Sequence, residues 1–277
     1  MTGSTGSSAR SAATDANADR PVLAGCWAFR EGAGTTVADA SGNGHPLTAD
    51  RDLPWVPDGA VGSAVDGGAG GAVALDGAEL ELSTAGPVLR TDRSLSVAAW
   101  VRLDPGTMGG KADLPPGQYA IAAVSQEGES HSALYLGARK VAEGQTAGTP
   151  EAPLRWDFTV SPVDGSVTGT IEWPHAASAP IEVAALGDWV FLAGVYDLAA
   201  GTVSLILPAT GQTVTATLPA GWTNWHAEGG FVVGRARYLH RPSDRWLGSL
   251  GPVWAFSGVL TADDAAALYR DGALPAG

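Results

Sequence analysis

The sequence is poor in cysteine, in basic residues and in long apolar runs. The single cysteine, Cys26, excludes a disulfide within the chain of 277 residues. The 16 Lys and Arg residues are outnumbered by 29 Asp and Glu, which gives a net charge of -13 and a pI near 4.6. Such an acidic surface repels phosphate backbones, so we expect no nucleic-acid partner. No apolar stretch approaches the ~20 residues of a membrane-spanning helix, so we also expect no membrane partner.

The first 20 residues differ in composition from the remainder of the chain. They consist mainly of Gly, Ser, Thr, Ala and charged residues, without the apolar segment of an export signal. We expect a disordered N-terminal arm over residues 1–20, followed by one domain over residues 21–277. The chain as written is expected in the cytoplasm, and it would be secreted if a leader had been removed. The sequence does not indicate an oligomeric state.

Alternation with a period of two residues, typical of β-strands, dominates the chain. Residues 95–103 (LSVAAWVRL) alternate in this way and predict a half-buried strand. Residues 189–207 predict a hairpin. The other predicted strands are 22–30, 72–76, 79–83, 119–125, 132–138, 154–160, 167–173, 213–219, 231–235 and 246–256. So many short strands, with 38 Gly and 18 Pro to form turns, indicate an all-β sandwich or jelly roll.

One helix and three long loops complete the expected organisation. Thr261 is the predicted N-cap of a short C-terminal helix, and Gly272 is predicted to end it. Residues 105–118, 142–153 and 174–187 show no strand pattern and predict long loops.

Five segments together resemble a known family. They are CWAFREGAGTTVADASGNGHPLT (26–48), LDGAELELSTAGPVLRTDRSLSVAAWVRLD (75–104), WVFLAGVYDLAAGTVSLIL (189–207), FVVGRAR (231–237) and WLGSLGPVWAFSGVLTADDAAALY (246–269). This combination resembles the bacterial laminin G-like domains of the concanavalin A-like lectin/glucanase superfamily. The resemblance implies a jelly-roll sandwich of two antiparallel sheets. It implies no single activity, because this fold carries both binding modules and enzymes.

A candidate metal site lies in the turn from Asp39 to Gly44. Asp39 and Asn43 supply side-chain oxygens, and the carbonyls of the turn could complete the shell of a hard cation such as Ca²⁺. The resemblance implies calcium here, with an acidic residue from the strand before the terminal helix. This chain has Leu-Gly-Pro-Val at residues 250–253 instead. The alternative is an Asx turn held by Asp39 and Ser41, and both interpretations stay open.

The 10 tryptophans are the second unusual feature of the sequence. Trp222 and Trp225 form the densest cluster and are the first choice for a rim that stacks on sugar rings, although they could instead anchor a loop. Trp156 fits either the core or a concave sheet face. The predicted ligand-binding residues, for a carbohydrate or another polyhydroxylated small molecule, are Trp222, Trp225, Trp156, Arg155, Arg235 and Tyr238.

Catalytic signatures are missing. The chain has no Gly-x-Ser-x-Gly elbow, no His-Glu-x-x-His motif and no phosphate loop. Glu127, Glu129 and His131 meet at a strand end, where a His beside carboxylates can transfer protons or simply form a polar turn. We therefore predict a ligand-binding module first. An intracellular enzyme of cyclase or lyase type and a protein-interaction domain are the alternatives.

Overall fold

The computed structural model describes residues 20–65, 68–145, 149–165 and 172–274, without the side chains of residues 57–70. Residues 1–19 of the expected arm and most of the predicted strand at 167–173 lie outside the described residues. The strands, in chain order, are β1 (Val22–Trp27), β2 (Thr36–Val37), β3 (Leu47–Thr48), β4 (Trp55–Val65), β5 (Gly68–Asp76), β6 (Leu82–Ser83), β7 (Leu95–Leu103), β8 (Ala120–Glu127), β9 (Ser132–Lys140), β10 (Leu154–Val160), β11 (His175–Pro180), β12 (Val190–Asp197), β13 (Thr202–Leu207), β14 (Gln212–Thr217), β15 (Phe231–Val233), β16 (Ala236–Tyr238), β17 (Arg241–Ser243) and β18 (Leu247–Ser257).

Two large antiparallel sheets form the sandwich. Sheet 1 has the order β14-β13-β12-β7-β18-β5-β4, and β1 also pairs with β18. Sheet 2 has the order β11-β10-β9-β8-β15-β6-β3-β2. The strands β16 and β17 form a separate hairpin. This arrangement confirms the all-β sandwich with one short C-terminal helix.

The main core fills the space between the two sheets. Trp27 stacks on Phe231 with ring centroids 4.9 Å apart. Gly194 in β12 faces the ring of Phe158 so closely that a Cβ atom would lie 2.3 Å from it. The glycine therefore sets how closely the sheets approach at this point, because a larger residue would push them apart.

A second apolar layer covers the outer face of sheet 1. Helix α1 (Ala262–Asp271) packs there, and Tyr269 stacks on Trp100 at 5.3 Å. Both predicted ends of helix α1 are confirmed. Thr261 accepts a hydrogen bond from the Asp264 N–H, and Gly272 has a left-handed φ of 68°. The strand at 95–103 is correspondingly buried on both faces, not half-buried as predicted, because the helix shields the side that alternation assigned to solvent. Among the described residues, no helix has the length and apolar character needed to cross a membrane.

One predicted loop is wrong in part. Residues 174–187 contain β11, which pairs with β10 at the edge of sheet 2, and a short 3-10 turn from Val183 to Ala185. The sequence of β11, HAASAP, has no Val, Ile, Thr, Phe, Tyr or Trp, so propensity gave no signal for a strand.

Candidate functional site

The turn at Asp39 is tied together by its own polar groups. The Asp39 carboxylate accepts hydrogen bonds from the backbone N–H groups of Cys26, Ser41 and His45 at 3.0, 2.9 and 3.0 Å. Burial raises the pKa of Asp39, but a hydrogen bond from the Ser41 side chain and the three backbone hydrogen bonds outweigh burial, so the net pKa is lowered. The Asn43 amide donates to two backbone carbonyls of β1 at 3.0 and 3.1 Å. No group of three or more His, Cys, Asp or Glu in the described part of the chain is arranged to hold a metal. Calcium at Asp39 and Asn43 stays a prediction.

The two predicted rim tryptophans lie at one end of the sandwich and are half-buried. The indole N–H of Trp222 donates to the Tyr196 hydroxyl at 2.6 Å, and that of Trp225 donates to the Ser161 carbonyl at 3.0 Å. The cavity that they line has a volume of about 10 Å³, which is room for no more than one water. Both rings thus anchor the loop between β14 and β15, and ligand binding by them stays a prediction.

Trp156 belongs to the core and not to a binding face. It lies between the sheets with 8% of its surface exposed, and its ring stacks on Trp246 at 6.4 Å. Its neighbours Arg155 and Asp157 point to the outer face of sheet 2, as the period of a strand requires. Of the two placements expected for Trp156, the structure shows the core.

A cavity, here called the edge groove, lies where β11 of sheet 2 meets β14 of sheet 1. Its volume is about 610 Å³. Arg155, the one predicted ligand-binding residue in the groove, donates from Nε to the Val141 carbonyl at 3.0 Å and from Nη1 to the Ser178 carbonyl at 2.7 Å. The described lining residues are Ala142, Glu143, Gly144, Gln145, Arg155, Glu172, Pro174, His175, Ala177, Ser178, Ala179, Pro180, Gln212, Val214, Ala216, Thr217 and Pro219.

A buried ion pair lies beside the edge groove, and His175 is its member that lines the groove. His175 Nδ1 lies 2.6 Å from Asp157 Oδ2, and Arg139 Nε lies 3.7 Å from Asp157 Oδ1. The Thr159 hydroxyl also donates to Asp157. Burial raises the pKa of Asp157, but the charge of Arg139 and the bond with His175 outweigh it, so the net pKa is lowered. Burial lowers the pKa of His175, but Asp157 outweighs it and the net pKa is raised.

The same histidine holds the groove wall in place. Its Nε2 atom lies 2.9 Å from the Gln145 carbonyl. A carbonyl only accepts, so Nε2 carries the proton there, and Nδ1 shares a second proton with Asp157. The sequence patterns did not predict His175 or Asp157 as site residues. His175 lies in the strand that was not predicted, and Asp157 stands alone between apolar residues.

A second polar group surrounds the β16–β17 hairpin on the outer face of sheet 2. Arg235 pairs with Glu127 and, at 2.9 Å, with Glu81. Arg237 also pairs with Glu127, at 3.1 Å. The exposed ring of Tyr238 contacts His131, with centroids 5.1 Å apart.

The fold thus brings together two predicted groups of residues that are distant in the sequence. The predicted pair Arg235 and Tyr238 joins the acid–His group of Glu127 and His131 on one face. None of the contacts described for the two rim tryptophans reaches Arg235, Tyr238 or Arg155. The six predicted binding residues are therefore split among the end loop, the core, the edge groove and the hairpin.

Comparison with known proteins identifies the fold. No family model matches the chain, and no curated protein does. Domain 4 of AbnA, a GH43 extracellular arabinanase from Geobacillus stearothermophilus solved with arabinotriose, aligns with a TM-score of 0.51 and 17% identity over 91% of this chain and 100% of that domain. The binding domain of botulinum neurotoxin serotype C1 aligns with a TM-score of 0.56 and 12% identity over 90% of this chain and 51% of that chain. Trypanosoma rangeli sialidase in complex with sialic acid aligns with a TM-score of 0.51 and 12% identity over 88% of this chain and 32% of the sialidase.

These similarities define a class of structure. The chain is a β-sandwich of two antiparallel sheets, a fold that it shares with these three structures. At such low identity the likeness extends to the fold alone, and the laminin G-like and concanavalin A-like assignments stay predictions.

Proposed function

We propose that this protein binds a carbohydrate in the edge groove. The observation that carries the proposal is the groove itself, whose volume of about 610 Å³ lies within the ~300–1,000 Å³ of small-molecule sites. The arabinanase domain and the sialidase were both solved with sugars bound, which supports a carbohydrate as the ligand class.

The chemistry of the groove wall suits a sugar. The side-chain amides of Gln145 and Gln212 can each donate to and accept from hydroxyl groups, and the Glu172 carboxylate accepts from them. Val214 and Ala216 supply an apolar strip on which the C–H face of a sugar ring can rest.

The other hypotheses have less support. The Asp157–His175 pair is an observation in favour of an enzyme, since a His beside a carboxylate can transfer protons. Both ring nitrogens of His175 are already hydrogen-bonded, however, so we place binding before catalysis. A protein-interaction role stays a prediction with no specific contact to support it.

Filling the groove tests the proposal. Ala216 lines the groove, whereas Thr213 on the same strand is exposed and does not line it. Wild-type protein is titrated calorimetrically with a panel of neutral and acidic oligosaccharides that includes arabinotriose. Ala216→Trp is expected to weaken the binding found by at least about tenfold, because it occupies the cavity, and Thr213→Trp is expected to leave it unchanged. Absence of binding across the panel, or equal binding by Ala216→Trp, would contradict the proposal.

A further inference from the structure

Buried polar atoms without a hydrogen-bond partner in the protein gather beneath the β16–β17 hairpin. In the described part of the chain, seven buried side-chain nitrogen or oxygen atoms lack such a partner. Five of the seven are Ser130 Oγ, both ring nitrogens of His131, Arg235 Nε and Arg237 Nε. An unsatisfied buried polar group is costly, so a concentration of them requires an explanation.

Ser130 and His131 contact the hairpin, and Arg235 and Arg237 share an ion-pair partner. The His240 N–H donates to the Ser130 carbonyl at 2.9 Å, which places the tip of the hairpin over the β8–β9 turn. His131 is fully buried and lies edge-on to the rings of Trp173 and Tyr238, at 5.5 and 5.1 Å. Aromatic rings accept N–H groups only weakly, so these contacts do not satisfy the imidazole. Arg235 and Arg237 both pair with Glu127.

Backbone strain gathers at the same hairpin. Four non-glycine residues in the described chain have a left-handed φ, and three of them are Leu239 at 49°, His240 at 63° and Asp244 at 52°. Turns of this hand favour Asn and Gly, and a leucine there is unfavourable. Strained residues of this kind cluster at ligand clamps and switches. This observation is independent of the unpartnered side chains and points to the same place.

The unpartnered groups around the hairpin favour a ligand that accepts hydrogen bonds. Arg235 and Arg245 pair with Glu81, and Arg235 and Arg237 pair with Glu127. Asp164 accepts hydrogen bonds from the backbone N–H groups of Ser130 and His131 at 2.6 and 2.9 Å, so acidic and basic side chains are balanced here. The unpartnered Nε atoms of the two arginines can only donate hydrogen bonds. The Ser130 hydroxyl and one nitrogen of a neutral His131 can donate as well. A carboxylate fits because it only accepts.

We propose that Ser130, His131, Arg235 and Arg237 form a second ligand site, which takes the carboxylate of an acidic sugar. The β16–β17 hairpin is the flap over this site. Tyr238, 46% exposed at its tip, offers a ring face to the sugar ring. Three hydrogen bonds hold the flap to the sheet. The Arg237 N–H donates to Ser132 Oγ at 2.9 Å, the Tyr135 hydroxyl donates to the Arg237 carbonyl at 2.8 Å, and the His240 N–H donates to the Ser130 carbonyl at 2.9 Å. This site is separate from the edge groove and does not depend on the function proposed for it.

The first experiment asks which group the site recognises. The imidazole nitrogen resonances of His131, assigned by their loss in His131→Phe, are followed by NMR during titration with glucuronate, glucose or acetate. Glucuronate is expected to shift both resonances, whereas glucose at the same concentration is expected to shift neither. No response to glucuronate overturns the proposal. An equal response to acetate overturns the assignment to a sugar. Ala216→Trp is expected to respond like the wild type, which separates this site from the edge groove.

The second experiment separates a binding role from a structural one. Ser130→Ala removes an unpartnered hydroxyl, so the melting temperature is expected to stay the same or rise, while glucuronate affinity falls by about tenfold. Ser132→Ala is the matched control, because the Ser132 hydroxyl accepts the Arg237 N–H and its loss is expected to lower the melting temperature. If Ser130→Ala destabilises the protein as much as Ser132→Ala, the hydroxyl is satisfied by ordered water and the proposal fails.

Discussion

Replacing Asp244 with asparagine is expected to stabilise the protein at neutral and alkaline pH. Burial raises the pKa of Asp244 from 3.8 to about 6, against the opposing charge of Arg139 and a hydrogen bond from Ser243. The folded state holds the Asp244 proton more tightly than the unfolded state does. Asp244 therefore stabilises the fold most below about pH 4, and this stabilisation is lost as pH rises through about 6. Asparagine carries no charge to bury, and it tolerates the left-handed φ of 52° at this position.

The size of the effect follows from the shift in pKa. A change of roughly two units corresponds to about 3 kcal/mol of penalty for the ionised carboxylate. Asp244 is half-buried as a whole residue, and solvent screening reduces this figure, so we expect a gain of about 1–3 kcal/mol at pH 8.

Urea denaturation of wild type and Asp244→Asn at pH 4.5 and pH 8 measures this gain. The difference between the two proteins is expected to be small at pH 4.5 and largest at pH 8. Asp157→Asn is the control of opposite sign, because Asp157 faces the same Arg139 with a lowered pKa and loses a stabilising charge. A difference independent of pH, or a less stable Asp244→Asn at pH 8, would refute the reasoning.

Three further outcomes are expected from single substitutions. Trp222→Ala and Trp225→Ala should each lower the free energy of unfolding by about 2–3 kcal/mol in urea denaturation, since both rings anchor the end loop; unchanged stability would return them to a binding rim. Asp39→Ala should lower the free energy of unfolding by about 2 kcal/mol at pH 7, and by less as pH falls below about 4, because the lowered pKa means that the ionised carboxylate is the stabilising form. If Asp39 holds calcium, a chelator should lower the melting temperature of the wild type but not that of Asp39→Ala. Thr261→Ala should cost about 1 kcal/mol through loss of the helix cap, and an unchanged melting temperature would contradict this.

The candidate sites show where prediction from sequence stops. Alternation along residues 154–160 places Trp156 and Asp157 on opposite sides of one strand, but it does not say which side meets the other sheet. Trp156 packs in the core. Asp157 lies on the outer face of sheet 2, where Arg139 and His175 from neighbouring strands compensate its charge. Both partners arrive through strand pairing, which the local pattern around Asp157 does not contain.

The all-β class, most strands and the capped terminal helix were readable from sequence because each depends on neighbours within a few residues. Thr261 caps an N–H three positions away, and period-two alternation is a property of each strand alone. The edge groove and the cluster under the hairpin were decided by the tertiary structure. Glu127 and Arg235 are joined across 108 positions of sequence, and β11 forms only because β10 offers its edge. Contacts of that range depend on how the strands pair and how the two sheets pack, and neither is a property of the residues within a few positions along the chain.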